Sequence, residues 1–250
     1  MPYAQHGLWY EESGSGEPVV LLHEGVVDSR IWAPVVPLLA DRFRVVAYDQ
    51  RGYGRSPIWD GPYSPVDDLV GVLDAAGITR AALVGASRGG RIALATALLT
   101  PERVSALVLV GSGLPGHRMV IEGTPEQEAR WEAAEERGDT AELAELDLEI
   151  WARLGADGEL RAMFLENAEA SNADDPAAGE PDVKSRLGEI AVPTLVITGA
   201  EDVPAINEVG EILASGIPGA RSARLDDADH MIPWRAPEEL GRLVRQFLAA

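Results

Sequence analysis

Short apolar runs alternate with stretches of helical spacing along most of the chain. Residues 19–22 and 44–48 are rich in aliphatic and β-branched side chains, a pattern typical of buried strands. We predict further strands at 81–84, 106–110, 194–198 and 223–225, and helices at 31–40, 65–76, 88–99 and 238–248. Apolar strands that alternate with helices indicate an α/β fold: a mostly parallel sheet covered by helices on both faces.

The alternation stops between residues 114 and 182, where three helical patterns follow one another without a strand. Thr124 to Gln127 form a capping box with proline at the first helical position, and Gly138 ends that helix. Residues 172–179 are rich in Asn, Asp and Ala and indicate a loop. We therefore predict a core formed by 1–113 and 183–250, interrupted by an inserted helical lid at 114–182.

The charge of the chain excludes one class of partner. The formal net charge is −20, and Lys184 is the only lysine beside twenty arginines. Because nucleic-acid binding needs clustered basic groups, we exclude nucleic acid as a partner. The lid carries 19 of the 41 acidic residues against five arginines. A solvated surface is the ordinary interpretation of such charge, and the alternative is an acidic rim that disfavours anionic substrates.

The cysteine content and the lengths of the apolar runs limit the chemistry and the cellular compartment that we expect for this chain. The absence of cysteine excludes disulfides, a thiol nucleophile and cysteine-based metal sites. The first residues lack the basic start and apolar run of a signal peptide, and no run approaches the roughly 20 residues of a membrane helix. We expect a cytoplasmic monomer or homodimer whose partner is a small-molecule substrate, with no role for a membrane.

The segment Gly85-Ala86-Ser87-Arg88-Gly89 matches the pattern G-x-S-x-G between a predicted strand and a predicted helix. The turn is so tight that side chains larger than glycine would clash two residues either side of the serine, which projects from the strand end. The sequence therefore predicts Ser87 as a nucleophile. The Arg88 main-chain N–H, at a helix N-terminus, would point at an oxyanion.

A serine nucleophile needs a base, and the chain has four histidines. In the architecture that carries this turn the base comes late in the chain, after the acid, and only His230 satisfies that order. The acid that orients the base is expected in Gly199-Ala200-Glu201-Asp202, directly after a predicted strand. We choose Asp202 and keep Glu201 as its rival.

The loop His23-Glu24-Gly25 ends the first long apolar strand, opposite the serine turn. Such a loop can give a second main-chain N–H to an oxyanion. We predict Gly25 as that donor, with Val26 as the alternative, and place Glu24 and Val26 in the substrate pocket. His23 is interpreted as a structural residue that fixes the loop.

The chain resembles the α/β-hydrolase superfamily, in its lid-bearing esterase and lactonase branch. It is similar there to 3-oxoadipate enol-lactonases and pimeloyl-carrier methyl ester esterases. The resemblance implies an α/β-hydrolase core with a helical cap. The matching pieces are residues 23–25, 49–56, 85–90, 199–202 and 229–230.

Two positions depart from the family's usual pattern. Relatives usually have His-Gly where this chain has His23-Glu24, and Met, Leu or Trp where it has Arg88. Because an unpaired buried charge is costly, we predict that Glu24 and Arg88 pair. An unpaired Arg88 would instead be a clamp for a substrate carboxylate.

The predicted function is hydrolysis of a carboxylic ester or lactone of a small to medium, partly apolar substrate, without a metal or organic cofactor. Two alternatives stay open. A lyase, a C–C hydrolase or a biosynthetic cyclase would use the same three residues, because fold and triad do not fix the reaction. The other alternative is a ligand-binding member of the fold that has no catalytic activity.

Overall fold

A seven-stranded sheet forms the centre of the computed structural model, which describes residues 3–121 and 123–249. Its strands are β1 (Tyr10–Ser13), β2 (Glu17–Leu22), β3 (Phe43–Tyr48), β4 (Ala81–Ala86), β5 (Val104–Val110), β6 (Thr194–Gly199) and β7 (Arg221–Leu225). Their order in the sheet is β1-β3-β2-β4-β5-β6-β7; β1 pairs antiparallel with β3, and every other pairing of these strands is parallel. The predicted α/β class with a mostly parallel sheet is confirmed.

Helices cover both faces of the sheet. Alternate residues of β2 point to opposite faces, so Val19 and Leu21 pack on one apolar layer and Val20 and Leu22 on the other. The first layer includes residues of the helices Val36–Leu39 and Pro237–Leu248, and the second includes residues of the helices Pro65–Ala75, Arg88–Leu99 and Pro204–Gly216. The helices are α1 (Val36–Leu39), α2 (Pro65–Ala75), α3 (Arg88–Leu99), α4 (Pro125–Arg137), α5 (Thr140–Trp151), α6 (Gly158–Glu166), α7 (Ala168–Ser171), α8 (Pro204–Gly216), α9 (Ile232–Arg235) and α10 (Pro237–Leu248).

The helix predicted at 31–40 is wrong as a continuous element. The chain forms a 3₁₀ turn at Ser29–Trp32 and the short helix α1 instead. Pro34 and Pro37 explain the break, because neither has the N–H that a continuing helix would need. Helix α8 was missed, although its buried residues Ile206, Val209 and Leu213 have helical spacing.

Residues 114–182 contain α4 to α7, between β5 and β6. The predicted capping box is present: Thr124 Oγ1 accepts from the Gln127 N–H, and the Gln127 side chain accepts from the Thr124 N–H. Gly138 ends α4 in the left-handed conformation, with φ 63°. The division of the chain into a core and a lid stays a prediction. Within the described ranges, no helix is long and apolar enough to cross a membrane.

The close packing of α3 on β2 positions the serine turn. A Cβ at Gly89 would collide with the main-chain oxygen and carbon of Leu22, so the helix can approach this strand only with glycine there. The Gly89 N–H also donates to the His23 main-chain oxygen over 3.1 Å. Ser87 is thereby held at the carboxyl edge of the parallel strands, where ligands of such sheets bind.

Gly89→Ala should lower the free energy of unfolding by about 2 kcal/mol or more, because the added methyl group meets rigid main chain. The control is Gly188→Ala, whose Cβ would meet nothing within 4 Å, and which should change stability by about 0.5 kcal/mol at most. Urea unfolding followed by circular dichroism measures both. Equal midpoints for the two variants would contradict this account of the packing.

Candidate active site

Ser87 lies on a strained turn between β4 and α3. Its φ of 49° and ψ of −110° are unusual for a residue with a side chain; among the described residues, only His6 also combines a side chain with positive φ. Such conformations cost about 1–3 kcal/mol and persist where the surroundings enforce them. A Cβ at Gly85 would collide with the Gly89 main chain, so the predicted role of these glycines follows from the geometry.

Main-chain hydrogen bonds fix the Ser87 turn from both sides. The Ser87 N–H donates to the Val110 oxygen over 3.0 Å. The Ser87 oxygen accepts from the N–H groups of Gly90, Arg91 and Gly113 over 3.0, 3.2 and 3.2 Å. The peptide groups around the serine are therefore tied to the end of β5 and to the first turn of α3.

His230 and Asp202 form a buried hydrogen-bonded pair. The His230 Nδ1 lies 2.8 Å from Asp202 Oδ2, and both side chains are almost fully buried. Asp202 follows β6 and His230 follows β7, two neighbouring parallel strands. Of the two acids considered from the sequence, it is Asp202 that contacts the histidine, whereas Glu201 is exposed. With Nδ1 donating to Asp202, Nε2 is left to accept a proton.

The Asp202 carboxylate controls the protonation of His230. Burial by itself lowers the pKa of the imidazole, but the charge of Asp202 and its hydrogen bond outweigh burial, so the pKa ends above its usual value of 6.5. The carboxylates of Glu24 and Asp229 act in the same direction. A buried imidazolium is thus stabilised at this position, as a general base requires after it takes a proton.

Asp229 and Trp151 connect the histidine loop to the helical segment. Asp229 is fully buried and accepts from the Leu154 N–H over 3.0 Å and from Arg235 Nη2 over 3.0 Å. The ring centroids of Trp151 and His230 lie 4.5 Å apart. The proximity that singles out Trp151 among the six tryptophans of the chain has no local sequence signal.

Ser87 and His230 line one cavity of about 490 Å³. Gly25, Val26, Glu24 and Arg88, the other predicted oxyanion and pocket residues, line it as well, and Asp202 lies behind His230. The structure therefore brings all seven predicted site residues together. In the described ranges, no group of three or more His, Cys, Asp or Glu residues is placed to hold a metal ion. The segment 114–182 contributes Met119, Ile121, Trp151, Ser171, Asp175, Ala177, Ala178, Gly179 and Glu180 to the lining.

The two predicted oxyanion donors are neighbours. A Cβ at Gly25 would lie 3.3 Å from the Cδ of Arg88, so the two loops are in contact. Gly25 lies in a turn and Arg88 begins α3. In the described part of the chain, neither of their main-chain N–H groups donates to a main-chain acceptor in a turn, loop or helix cap. Tyr53 fixes the first loop by donating from its hydroxyl to the Gly25 oxygen over 2.8 Å.

His23 also fixes the loop that carries Glu24 and Gly25. Its Nδ1 lies 2.6 Å from the Glu24 main-chain oxygen, and its Nε2 accepts from the Gln50 N–H over 2.9 Å. Burial is the main cause that lowers the pKa of His23 below 6.5, so the ring is neutral and suited to this donor and acceptor pair. The structural interpretation of His23 is confirmed.

The predicted pairing of Glu24 with Arg88 is wrong. Arg88 Nη1 lies 2.6 Å from Asp175 Oδ2, its Nε donates to Gln50 over 3.0 Å, and its Nη2 donates to Tyr63 over 2.8 Å. The partner of Arg88 therefore comes from the loop at 172–179, which is distant from Arg88 in the sequence. Arg88 is therefore not an unpaired clamp either.

Glu24 is instead a buried carboxyl to which the described part of the chain offers no hydrogen-bond partner. Only 1% of its surface is exposed, and neither side-chain oxygen has a hydrogen-bond partner among the described residues. Burial raises the pKa of Glu24 to about 7, with Asp202 adding to the rise and His230 and the Glu24 main chain opposing it. Near neutral pH a large fraction of this carboxyl carries its proton.

The comparisons with known proteins identify the family. The family model described as alpha/beta hydrolase fold matches residues 18–146. The chain is 33% identical to a 2-hydroxy-6-oxononadienedioate/2-hydroxy-6-oxononatrienedioate hydrolase of Paraburkholderia xenovorans, over 97% of this chain and 90% of the relative. It is 31% identical to the pimeloyl-[acyl-carrier protein] methyl ester esterase of Methylococcus capsulatus, over 98% and 99%.

A solved structure agrees with these sequences. The enol-lactonase from Burkholderia xenovorans superimposes with a TM-score of 0.79 and 30% identity, over 97% of this chain and 96% of that one. The chain belongs to the α/β-hydrolase fold family. The resemblance inferred from the motifs is thereby confirmed.

Two buried carboxyls make the stability of the fold depend on pH. The pKa values of Glu24 and Asp147 are both raised to about 7, mainly by burial, from ordinary values of 4.5 and 3.8. Between the ordinary pKa values and about 7, the folded chain binds more protons than the unfolded chain, so the free energy of unfolding falls as the pH rises. The loss is complete once the pH is above about 7.

Glu24→Gln should therefore gain stability relative to the wild type as the pH rises from about 4 to 8, by about 2–3 kcal/mol. Asp147→Asn should show the same trend, since its carboxyl is buried in α5. Urea unfolding at several pH values measures the difference. If the free energy of unfolding changes with pH by the same amount in the wild type and in the variants, the raised pKa values are contradicted.

Proposed function

We propose that this protein is a serine hydrolase that cleaves a carboxylic ester or lactone through an acyl-Ser87 intermediate. The observation that carries the proposal is the shared cavity: Ser87, on its strained turn, and His230, hydrogen-bonded to Asp202, both line it. The named activities of an esterase relative and an enol-lactonase neighbour support the same class of reaction.

In the proposed acylation step His230 Nε2 removes the Ser87 hydroxyl proton while Ser87 Oγ attacks the substrate carbonyl carbon. Asp202 accepts from Nδ1 and stabilises the imidazolium that forms. The main-chain N–H groups of Gly25 and Arg88 donate to the oxyanion. The imidazolium then protonates the leaving alcohol, and the acyl group stays on Ser87.

Deacylation repeats the cycle with water. His230 removes a proton from a water molecule that attacks the acyl carbon, and the oxyanion again lies against the Gly25 and Arg88 N–H groups. The imidazolium returns the proton to Ser87 Oγ, which releases the carboxylic acid. A lactone follows the same path, except that alcohol and acid remain in one molecule.

The charges around the cavity favour a neutral substrate. Two arginines line it, and both are paired: Arg88 with Asp175 at 2.6 Å, and Arg91 with Glu180. Glu24 lies in the same lining. Among the described lining residues, no arginine is left to bind a carboxylate. We infer a partly apolar substrate whose acyl part is uncharged next to the carbonyl.

A C–C hydrolase is the second candidate, because several relatives are named as hydrolases of 2-hydroxy-6-oxononadienedioate and the related trienedioate. These names describe dicarboxylates, which the paired arginines of this cavity disfavour. Product analysis with a neutral ester and with a 2-hydroxy-6-oxodienoate separates the candidates. Turnover of the dienoate alone would replace the ester proposal with C–C hydrolysis.

The wild type should hydrolyse short- or medium-chain p-nitrophenyl esters, and Ser87→Ala should lower kcat/KM by at least about 10³-fold, because the nucleophile is lost. Ser215→Ala, on the exposed side of α8, should behave as the wild type. Release of p-nitrophenol measures all three. Equal activity of Ser87→Ala and Ser215→Ala would contradict a role for Ser87.

Neutralising Asp175 should change substrate preference. In Asp175→Asn the Arg88 charge loses its partner, so kcat/KM for a p-nitrophenyl ester with a terminal carboxylate should rise about tenfold relative to a neutral ester of equal length. Because the prediction concerns the ratio of the two kcat/KM values, a general effect of the substitution on the loop at 172–179 cancels. Glu180→Gln, beside the more exposed Arg91, is the control and should change the ratio less. An unchanged ratio in Asp175→Asn would contradict the charge argument.

A further inference from the structure

The Glu24 carboxyl is a buried polar group that the proposed mechanism leaves unused. It precedes Gly25, a proposed oxyanion donor, and lines the same cavity as Ser87 and His230. Neither oxygen has a hydrogen-bond partner among the described residues, although the residue is 1% exposed. An unsatisfied buried carboxyl is costly, so a partner that arrives with the substrate would explain its retention.

Burial, more than the charged groups around it, favours the neutral form of Glu24. His230 and Asp202 face it from the loops after β7 and β6, with opposite effects on its charge. Arg88 lines the cavity from α3 but is bound to Asp175, Gln50 and Tyr63. Asp175 and Glu180 also line the cavity, but their carboxylates are paired with Arg88 and Arg91. A buried carboxyl whose pKa is raised to about 7 carries its proton below that pH, and the protonated form presents an O–H that needs an acceptor.

We propose that Glu24 is a third donor to the substrate's carbonyl oxygen: its neutral carboxyl donates a hydrogen bond to that oxygen as the oxyanion forms, beside the Gly25 and Arg88 N–H groups. The inference rests on the proposed function, because the oxyanion forms only when Ser87 attacks. No proton is transferred from Glu24. The reacting proton still moves between Ser87, His230 and the leaving group. Glu24 carries the same proton at the start and at the end of each catalytic cycle.

The arrangement has a physical consequence for pH. A carboxyl kept neutral by its site can stabilise an oxyanion, whereas its ionised form would repel one. The active form therefore needs the proton on Glu24 and no proton on His230. Since each of these groups shifts the other's titration, the pair should titrate in two steps and give a bell-shaped kcat/KM profile.

Two variants test the proposal. Glu24→Met keeps the length of the side chain without a donor, and Glu24→Gln keeps a donor that does not ionise. With a neutral p-nitrophenyl ester, Glu24→Met should lose about 10²-fold in kcat with little change in KM. Glu24→Gln should lose less than about tenfold, and its alkaline limb should disappear. Its acid limb should remain, because His230 still titrates beside an uncharged side chain.

Asp147→Asn is the matched control, because Asp147 is another buried carboxyl with a pKa raised to about 7. It should keep the alkaline limb. Circular dichroism establishes that each variant folds. If Glu24→Met retains kcat within about threefold, or if the alkaline limb survives in Glu24→Gln, Glu24 is not an oxyanion donor.

A trifluoromethyl ketone gives a second readout that does not depend on ester turnover. Attack by Ser87 converts it into a tetrahedral adduct with an oxyanion, which ¹⁹F NMR detects. Affinity should fall about 10²-fold in Glu24→Met and much less in Glu24→Gln. A wild type that hydrolyses esters with a Glu24-independent adduct overturns this inference alone. A wild type without ester turnover but with a Glu24-dependent adduct overturns only the proposed ester hydrolysis, and a wild type with neither ester turnover nor an adduct overturns both.

Discussion

The turn at Ser87 holds a residue with a side chain at a φ of 49°, and the surrounding main chain keeps it there. The Ser87 oxygen accepts three N–H groups, and Gly85 and Gly89 leave room that no Cβ could share. Because Gly89 lies directly on Leu22, the turn is also fixed to β2 and so to the loop that carries Glu24 and Gly25. The relative positions of the nucleophile and the loop opposite it depend on this one close approach of helix and strand.

Burial of acidic groups is the second constraint on the site. Asp202 and Asp229 are buried as hydrogen-bonded carboxyls, each with a stated partner: His230 for the first, and Arg235 and two main-chain N–H groups for the second. Glu24 is buried without a hydrogen-bond partner among the residues that the structure describes. Arg88, the partner that the sequence suggested for it, is bound by Asp175 from the loop at 172–179. The acidic character of that segment is therefore partly used inside the cavity, where it cancels the charge of an arginine.

Much of the fold and site could be predicted from the sequence because the signals are local. The strand runs, the glycines around Ser87 and the capping box at Thr124 each depend on neighbours in the chain. The partner of Arg88 could not be predicted, because it lies 87 residues further along the chain in a loop without regular spacing. The broken helix at 31–40 could have been predicted, since Pro34 and Pro37 stand within it. The contact of Trp151 with His230 depends on the packing of α5 and has no sequence signal.

The central claim is that Ser87 is the activated nucleophile of the cavity it shares with His230 and Asp202. Labelling with a fluorophosphonate reagent, followed by peptide mapping, tests it directly because the reagent reacts with an activated serine hydroxyl. The account predicts one label, on the peptide that contains Ser87, with a labelling rate that falls at least about tenfold in Asp202→Asn because the base loses its orienting acid. A label on another residue, or no label on the folded wild type, would contradict it.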